Sequence, residues 1–177
     1  RYNLFYCIPT RIPLRSQRSG IRSLNKGECE HLVMNSFYSI SGAMGELGET
    51  ISSVAATRQP VMIIGEPGTG KEQIARFIYL RSSLVNKPFV VVNCERMNDK
   101  SWDFLLSHYN SPLNGTGNTV YFQSLEKMPE ERQTEVLSAI LETGLANRVR
   151  LIFSCVCRTE EPVPDVLRMF STRLGCL

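Results

Sequence analysis

Apolar residues recur along this chain in two rhythms. Val61–Ile64, Phe89–Val92, Thr119–Phe122 and Val149–Ser154 are short runs, apolar at nearly every position. Strands covered on both faces read this way, whereas half-exposed strands alternate. Between these runs, apolar residues fall three or four apart, the spacing of one helix face. Met44, Leu47, Ile51, Val54 and Ala55 form one such stripe, with Ser41 placed to cap it, although Gly42, Gly45 and Gly48 weaken the helix. Ile74, Ala75, Phe77, Ile78 and Leu80 form a second. Helices are further predicted over Trp102–Tyr109, from Pro129 to Gly144 with Val136, Leu137, Ile140 and Leu141 inward, and over Val163–Thr172. Asn110–Asn118, rich in breakers, reads as a loop, and residues 2–8 as a strand broken off by Pro9 and Pro13. Buried strands alternating with helices predict an α/β domain with a largely parallel sheet, whose ligands bind at the carboxyl ends of the strands.

The run Val61–Ile64 leads into Gly65, Glu66, Pro67, Gly68, Thr69, Gly70, Lys71 and Glu72, and a helical pattern follows. Strand, glycine-rich turn and helix in this order make a phosphate-binding loop. Its glycines let backbone N–H groups turn inward, the helix start adds a positive dipole end, and Lys71 supplies a point charge for the terminal phosphates. The pattern G-x-x-x-x-G-K-[ST] is complete except at its last position. Glu72 stands where a hydroxyl normally touches the metal, so magnesium is the weak point. A glycine-rich turn without function is the alternative.

Charge divides the chain. Residues 1–26 hold Arg1, Arg11, Arg15, Arg18, Arg22 and Lys26 and no acid, which leaves 14 basic and 17 acidic residues in the rest. The body is therefore not a basic nucleic-acid-binding domain. Only the leading segment could attract phosphate; a solvated linker or the tail of an upstream domain is the other reading. The expected division is residues 1–27 as this basic segment and 28–177 as the domain. The chain opens on Arg1 and closes without a clear cap, which suggests a piece of a longer protein. No apolar run approaches a membrane span, and six cysteines without disulfide-like spacing suggest a reduced, cytoplasmic setting. Cys155 and Cys157 would share a strand face but have no second pair with which to hold a metal, so no metal ligands are assigned.

Taken together, four stretches resemble the ATPase domain of sigma-54-dependent transcriptional activators, the bacterial enhancer-binding proteins of the AAA+ superfamily. Gly65–Glu72 resembles the family's phosphate loop, which itself carries Glu after the lysine. Pro88–Cys94 resembles its next strand, with the Pro-Phe and Asn-Cys pairs. Thr119–Glu142, with Met128-Pro129 and Gln133 to Leu137, resembles the strand and helix of its second nucleotide motif. Val149–Ile152 resembles its sensor strand. The similarity runs over roughly residues 36–175. It implies the AAA+ P-loop NTPase core, a mostly parallel sheet of about five strands flanked by helices. The chain stops before the family's helical lid, so the lid subdomain is expected to be absent.

The departures from the family concern catalysis. The family's Asp-Glu, which orients magnesium and activates water, is replaced by Gln123 and Ser124. Neither residue can supply a carboxylate. Glu126, two residues on, reads as the start of a loop at no catalytic position. Cys155 and Val156 stand where the sensor Thr-Asn would be. Arg173 matches the second of the family's two arginines that reach a neighbouring subunit's nucleotide and is a candidate arginine finger, whereas Leu167 takes the place of the first. Between Cys94 and Thr119 the family's sigma-contacting loop motif is missing, which argues against contact with sigma-54.

The resemblance therefore implies a transcription-regulator domain that binds ATP or ADP, with magnesium left open and little or no hydrolysis. Implied partners are a second copy through the AAA+ core and DNA through a domain outside this chain. Two alternatives stand beside it: an assembly module that binds no nucleotide, and an active ATPase completed by Glu126 or by a neighbouring subunit.

Overall fold

The computed structural model describes residues 19–37 and 44–176; for residues 32–37 and 44–46 only the backbone is described. The strand expected over residues 2–8 and the cap expected at Ser41 lie outside these residues. In chain order the elements are β1 (Ile21–Leu24), α1 (Lys26–Phe37), α2 (Met44–Ala56), β2 (Val61–Gly65), α3 (Lys71–Leu80), β3 (Phe89–Asn93), α4 (Asp99–Ser107), β4 (Thr119–Gln123), α5 (Glu130–Glu142), α6 (Leu145–Arg148), β5 (Arg150–Val156) and α7 (Asp165–Leu174). The five strands form one sheet in the order β1-β3-β4-β5-β2. β3, β4, β5 and β2 run parallel, and β1 is antiparallel to β3.

The solid apolar runs have the predicted cause. Val90, Val92, Val120, Phe122, Leu151 and Phe153 face a layer formed by α4, α5 and α7. Phe89, Val91, Tyr121 and Ile152 face the opposite layer, where Ile51 and Ala55 of α2 and Ala75 and Ile78 of α3 pack. With helices on both faces, every position of β3, β4 and β5 except the last is buried. Within the first layer Phe122 stacks on Phe153, with ring centroids 5.3 Å apart, and Phe170 meets Phe153 edge-on at 5.4 Å. α2 forms despite its glycines, because Ile51 and Ala55 gain burial that outweighs the propensity loss.

The sheet extends further toward the N-terminus than the expected division at residue 28. Ile21–Leu24 is a sheet strand, and Asn25 opens α1 through a reciprocal cap: Glu28 N donates to Asn25 Oδ1 at 2.9 Å, and Asn25 N donates to Glu28 Oε2 at 2.8 Å. α4 begins three residues before the predicted start, since the Asn98 side chain accepts from Ser101 N at 2.9 Å. α6 fills the short stretch between the end of α5 and β5. α7 starts at Asp165, after Pro162 and Pro164, both poor continuations of a helix.

Arg150 fixes the lower end of β5. Its side chain is 1% exposed, and it donates to three carbonyls at the end of α2: Val54 O at 2.8 Å, Ala55 O at 3.1 Å, and Thr57 O. A cation there meets the negative end of the α2 dipole and carbonyls at the helix end, two of which have no other donor among the described residues.

Candidate functional site

β2 ends at Gly65, and α3 begins at Lys71. The five residues between them make the loop at the carboxyl end of the sheet. Gly68 and Gly70 both sit at φ 77°, a conformation that a side chain resists, and this curls the loop back over its own start. Glu66, Pro67, Gly68 and Thr69 are exposed. The N–H groups of Gly68 and Gly70 take no hydrogen bond among the described residues. Lys71 Nζ lies inside the curl and donates to Gly65 O at 3.0 Å, Glu66 O at 2.6 Å and Thr69 Oγ1 at 3.3 Å. Its pKa is lowered by burial, and the charge of Glu126 opposes that shift. Free N–H donors, a helix start and a lysine converge on one concavity, the donor set that a phosphate chain requires.

Glu72 faces elsewhere. Its Oε1 accepts from Arg22 Nη2 of β1 at 2.6 Å and from Arg76 Nη2 one turn along α3. Arg76 is buried, and burial pulls its pKa down against the pull of Glu72. The carboxylate that follows the loop lysine is thus committed to two guanidinium groups. Arg22, read from the sequence as part of a basic arm or linker, is instead tied to the α3 start.

Gln123 ends β4, half-buried, opposite Asn93. Ser124 follows at φ 60°, ψ 57°, and is the single non-glycine residue at positive φ among the described residues. Its N–H points to Ser154 Oγ, which pairs with Tyr121 OH at 2.8 Å. The two positions that replace the acidic pair therefore bring no carboxylate to the crevice.

Glu126 does bring one, and here the structure departs from the sequence reading. It sits in a 3-10 turn over Leu125–Lys127, and its Oε2 accepts from Val156 N at 2.9 Å. Val156 is the register partner of Gly65, and Cys157 N donates to Gly65 O at 3.2 Å. Glu126 is therefore fastened at the strand end beside the first glycine of the loop. Cys155, in a sensor position, is buried; burial first and Glu126 second push its thiol up to about 12. Thr159, just beyond β5, donates to Glu66 Oε1 at 3.0 Å across the mouth of the loop. Arg173 is exposed on the last turn of α7 and forms no ion pair among the described residues.

Sequence reasoning singled out Gly65–Glu72 and the pair Gln123 and Ser124, and the structure places the first between β2 and the start of α3 and the second at the end of β4. It missed the contacts that Arg22, Glu126 and Thr159 make around the loop, each with a residue distant in sequence. A glutamate three residues past the end of β4 was the one available signal for Glu126.

The family profile described as Sigma-54 interaction domain matches residues 39–164. The Psp operon transcriptional activator of Escherichia coli (strain K12) is 30% identical over 151 residues, covering 75% of this chain and 46% of that protein. The Nif-specific regulatory protein of Rhodobacter capsulatus is 24% identical over 160 residues, covering 80% of this chain and 28% of that protein. Among solved structures, NtrX from Brucella abortus in complex with ATP superposes with a TM-score of 0.60 at 29% identity, covering 75% of this chain and 35% of that one. The same protein in complex with ADP matches with the same TM-score and identity. The chain spans less than half the length of each of these proteins.

Proposed function

We propose, since the chain belongs to the Sigma-54 interaction domain family of AAA+ P-loop domains, that it is the nucleotide-binding part of a transcription regulator, taking ATP or ADP at Gly65–Lys71 and hydrolysing it negligibly. The observation that carries the binding half is the curled loop, with the N–H groups of Gly68 and Gly70 free and Lys71 Nζ inside it. Phosphate oxygens would take over the lysine contacts now made by Gly65 O, Glu66 O and Thr69 Oγ1. The resemblance to NtrX, whose structures hold ATP and ADP, supports the same reading.

Negligible hydrolysis follows from the end of β4. Attack of water on a terminal phosphate needs a base or orienting group in line with the scissile bond. Gln123 is neutral, and Ser124 is no base near neutral pH. The sensor side offers Cys155, a buried thiol, and Val156, an aliphatic residue. The domain would thus respond to the nucleotide it holds rather than consume it. The segment between β3 and β4 is filled by α4 and a short 3-10 turn over Pro112–Asn114, which supports a regulator without the family's sigma-54 contact. Assembly with a second copy, in which the exposed Arg173 reaches a neighbour's phosphates, and DNA contact through another part of the protein complete the reading. Among the described residues no helix is long and apolar enough to cross a membrane.

The test is calorimetric titration of ADP and ATP into the full-length protein, with Lys71→Ala alongside, followed by a phosphate-release assay. Binding that Lys71→Ala abolishes, with no release above background, is expected. Failure of the unaltered protein to bind either nucleotide would favour an assembly module instead. Steady release lost in Lys71→Ala would show an active ATPase.

A further inference from the structure

Four groups near the phosphate loop bear on whether it can take a divalent cation, and they differ in where they place an oxygen. Glu72 is held by Arg22 and Arg76. Glu66 accepts from Thr159 on the exposed side of the loop. Gln123 is an amide. Glu126 remains. Its Oε2 is fixed by Val156 N at 2.9 Å, and the Cys155 thiol lies against the same carboxylate.

Its position can be triangulated. Val156 pairs with Gly65, so the carboxylate sits at the junction of β5 and the start of the loop. Its charge is felt by Lys71 beyond β2, by Cys94 beyond β3 and by Cys155 in β5. These groups surround the carboxyl ends of the central strands, the crevice in which the terminal phosphates would lie. Lys71 is at present the nearby cation that answers Glu126. If Lys71 turns to the phosphates, two anions face each other across the crevice, and the natural third party is a hard cation between them.

We propose that Glu126 is the metal-side carboxylate of this site, holding a magnesium ion, directly or through a water, against the terminal phosphates in place of the acidic residue that Gln123 replaces. The proposal rests on the nucleotide-binding reading above. Magnesium binds through one or two carboxylates together with substrate phosphates rather than in an all-protein cage. A single carboxylate therefore suffices, and among the described residues no group of three or more His, Cys, Asp or Glu is placed to hold a metal alone. The role is one of binding. With one oxygen fixed on the β5 backbone, Glu126 is an anchor and not a mobile base.

The same charge acts in opposite directions with and without metal, and this makes the test decisive. ADP is titrated into the full-length protein, with magnesium chloride or with a chelator, in the unaltered form and in Glu126→Gln, Glu126→Asp and Lys71→Ala. In the unaltered protein, magnesium should tighten ADP binding by roughly 10-fold, the scale of one favourable charge contact in a partly screened crevice. Glu126→Gln keeps an oxygen for Val156 N. It should reduce that ratio to about 2-fold or less and tighten metal-free binding by about 3-fold, since a repulsion is removed. Glu126→Asp should recover part of the magnesium effect. An unchanged magnesium ratio in Glu126→Gln, or weaker metal-free binding, overturns the proposal while leaving nucleotide binding through Lys71 intact. ADP binding to the unaltered protein that ignores magnesium also overturns it. If the unaltered protein binds no ADP under either condition, the nucleotide reading falls, and this proposal with it.

Discussion

Replacing Arg150 with methionine should lower the unfolding free energy of the domain by about 3 kcal/mol. Methionine keeps an unbranched apolar stem, so the change removes the guanidinium with little loss of packing. Three carbonyls lose a charged donor, but unequally. Val54 O still accepts from Thr57 N at 3.1 Å and Thr57 Oγ1 at 2.9 Å. Ala55 O, in the buried part of the site, and Thr57 O, partly buried, have no other donor among the described residues. Each acceptor left without a partner costs about 1–3 kcal/mol, the lower end applying to the partly buried one. Against this, the variant no longer buries a cation and its unpartnered Nε. Buried charges replaced by apolar residues of similar volume are often neutral or even stabilising. Here the partners are main-chain oxygens, which remain when the charge goes, and the loss should prevail. Urea denaturation followed by circular dichroism measures it, and Arg150→Lys should fall between the two. Equal midpoints and slopes for Arg150→Met and the unaltered protein would refute the account of α2 capping.

Other expectations concern single contacts. Ser124→Gly should stabilise the domain by about 0.5–1 kcal/mol, because φ 60° strains a side-chain-bearing residue, whereas Ser124→Val should destabilise it. Thermal unfolding decides between them, and the reverse order would show that the turn relaxes. A double-mutant cycle of Arg22→Ala and Glu72→Gln should give a coupling of about 1 kcal/mol, since this pair is only partly shielded from water; a value near zero would make the contact incidental. Alkali should destabilise the fold. Burial pushes the Cys29 and Cys155 thiols up to about 12. Between pH 9 and 12 the unfolded chain has therefore lost protons that the folded chain keeps. Stability is fully present below pH 9 and falls as pH rises toward 12, by at most about 1.4 kcal/mol per unit for each thiol. Denaturation midpoints at pH 8 and pH 10.5 measure this, and equal midpoints would contradict it.

What the chain discloses before folding follows from the range of its interactions. The parallel strands were legible because helices cover both faces and so demand unbroken apolar runs. The loop was legible because strand, glycines, lysine and helix are consecutive. β1 was not. Ile21-Arg22-Ser23-Leu24 is four residues with two apolar positions, and it gains its identity only by pairing with β3. Glu72 looked like an unusual phosphate-loop residue and then a family mark; its commitment to Arg22 depends on a partner fifty positions away in sequence. Glu126 reads as loop from the sequence, because a short turn follows the strand. Its reach to Val156 exists only once β4 and β5 lie side by side. Arg150 carried a faint signal, a lone charge inside an apolar run, but the carbonyls that receive it belong to α2.

The order of the strands also governs when the loop can become competent. β2, which carries the loop, is an edge strand whose one partner among the described strands is β5. During synthesis Val61 must wait for Ile152, about ninety residues later, before its ladder can close. Such distant pairings fold slowly and leave apolar surface uncovered for longer. Ile64, still 54% exposed in the finished domain, lies on that late-closing strand. On the growing chain, the glycine-rich loop is therefore among the last of the described features to take shape, although its sequence precedes that of β5.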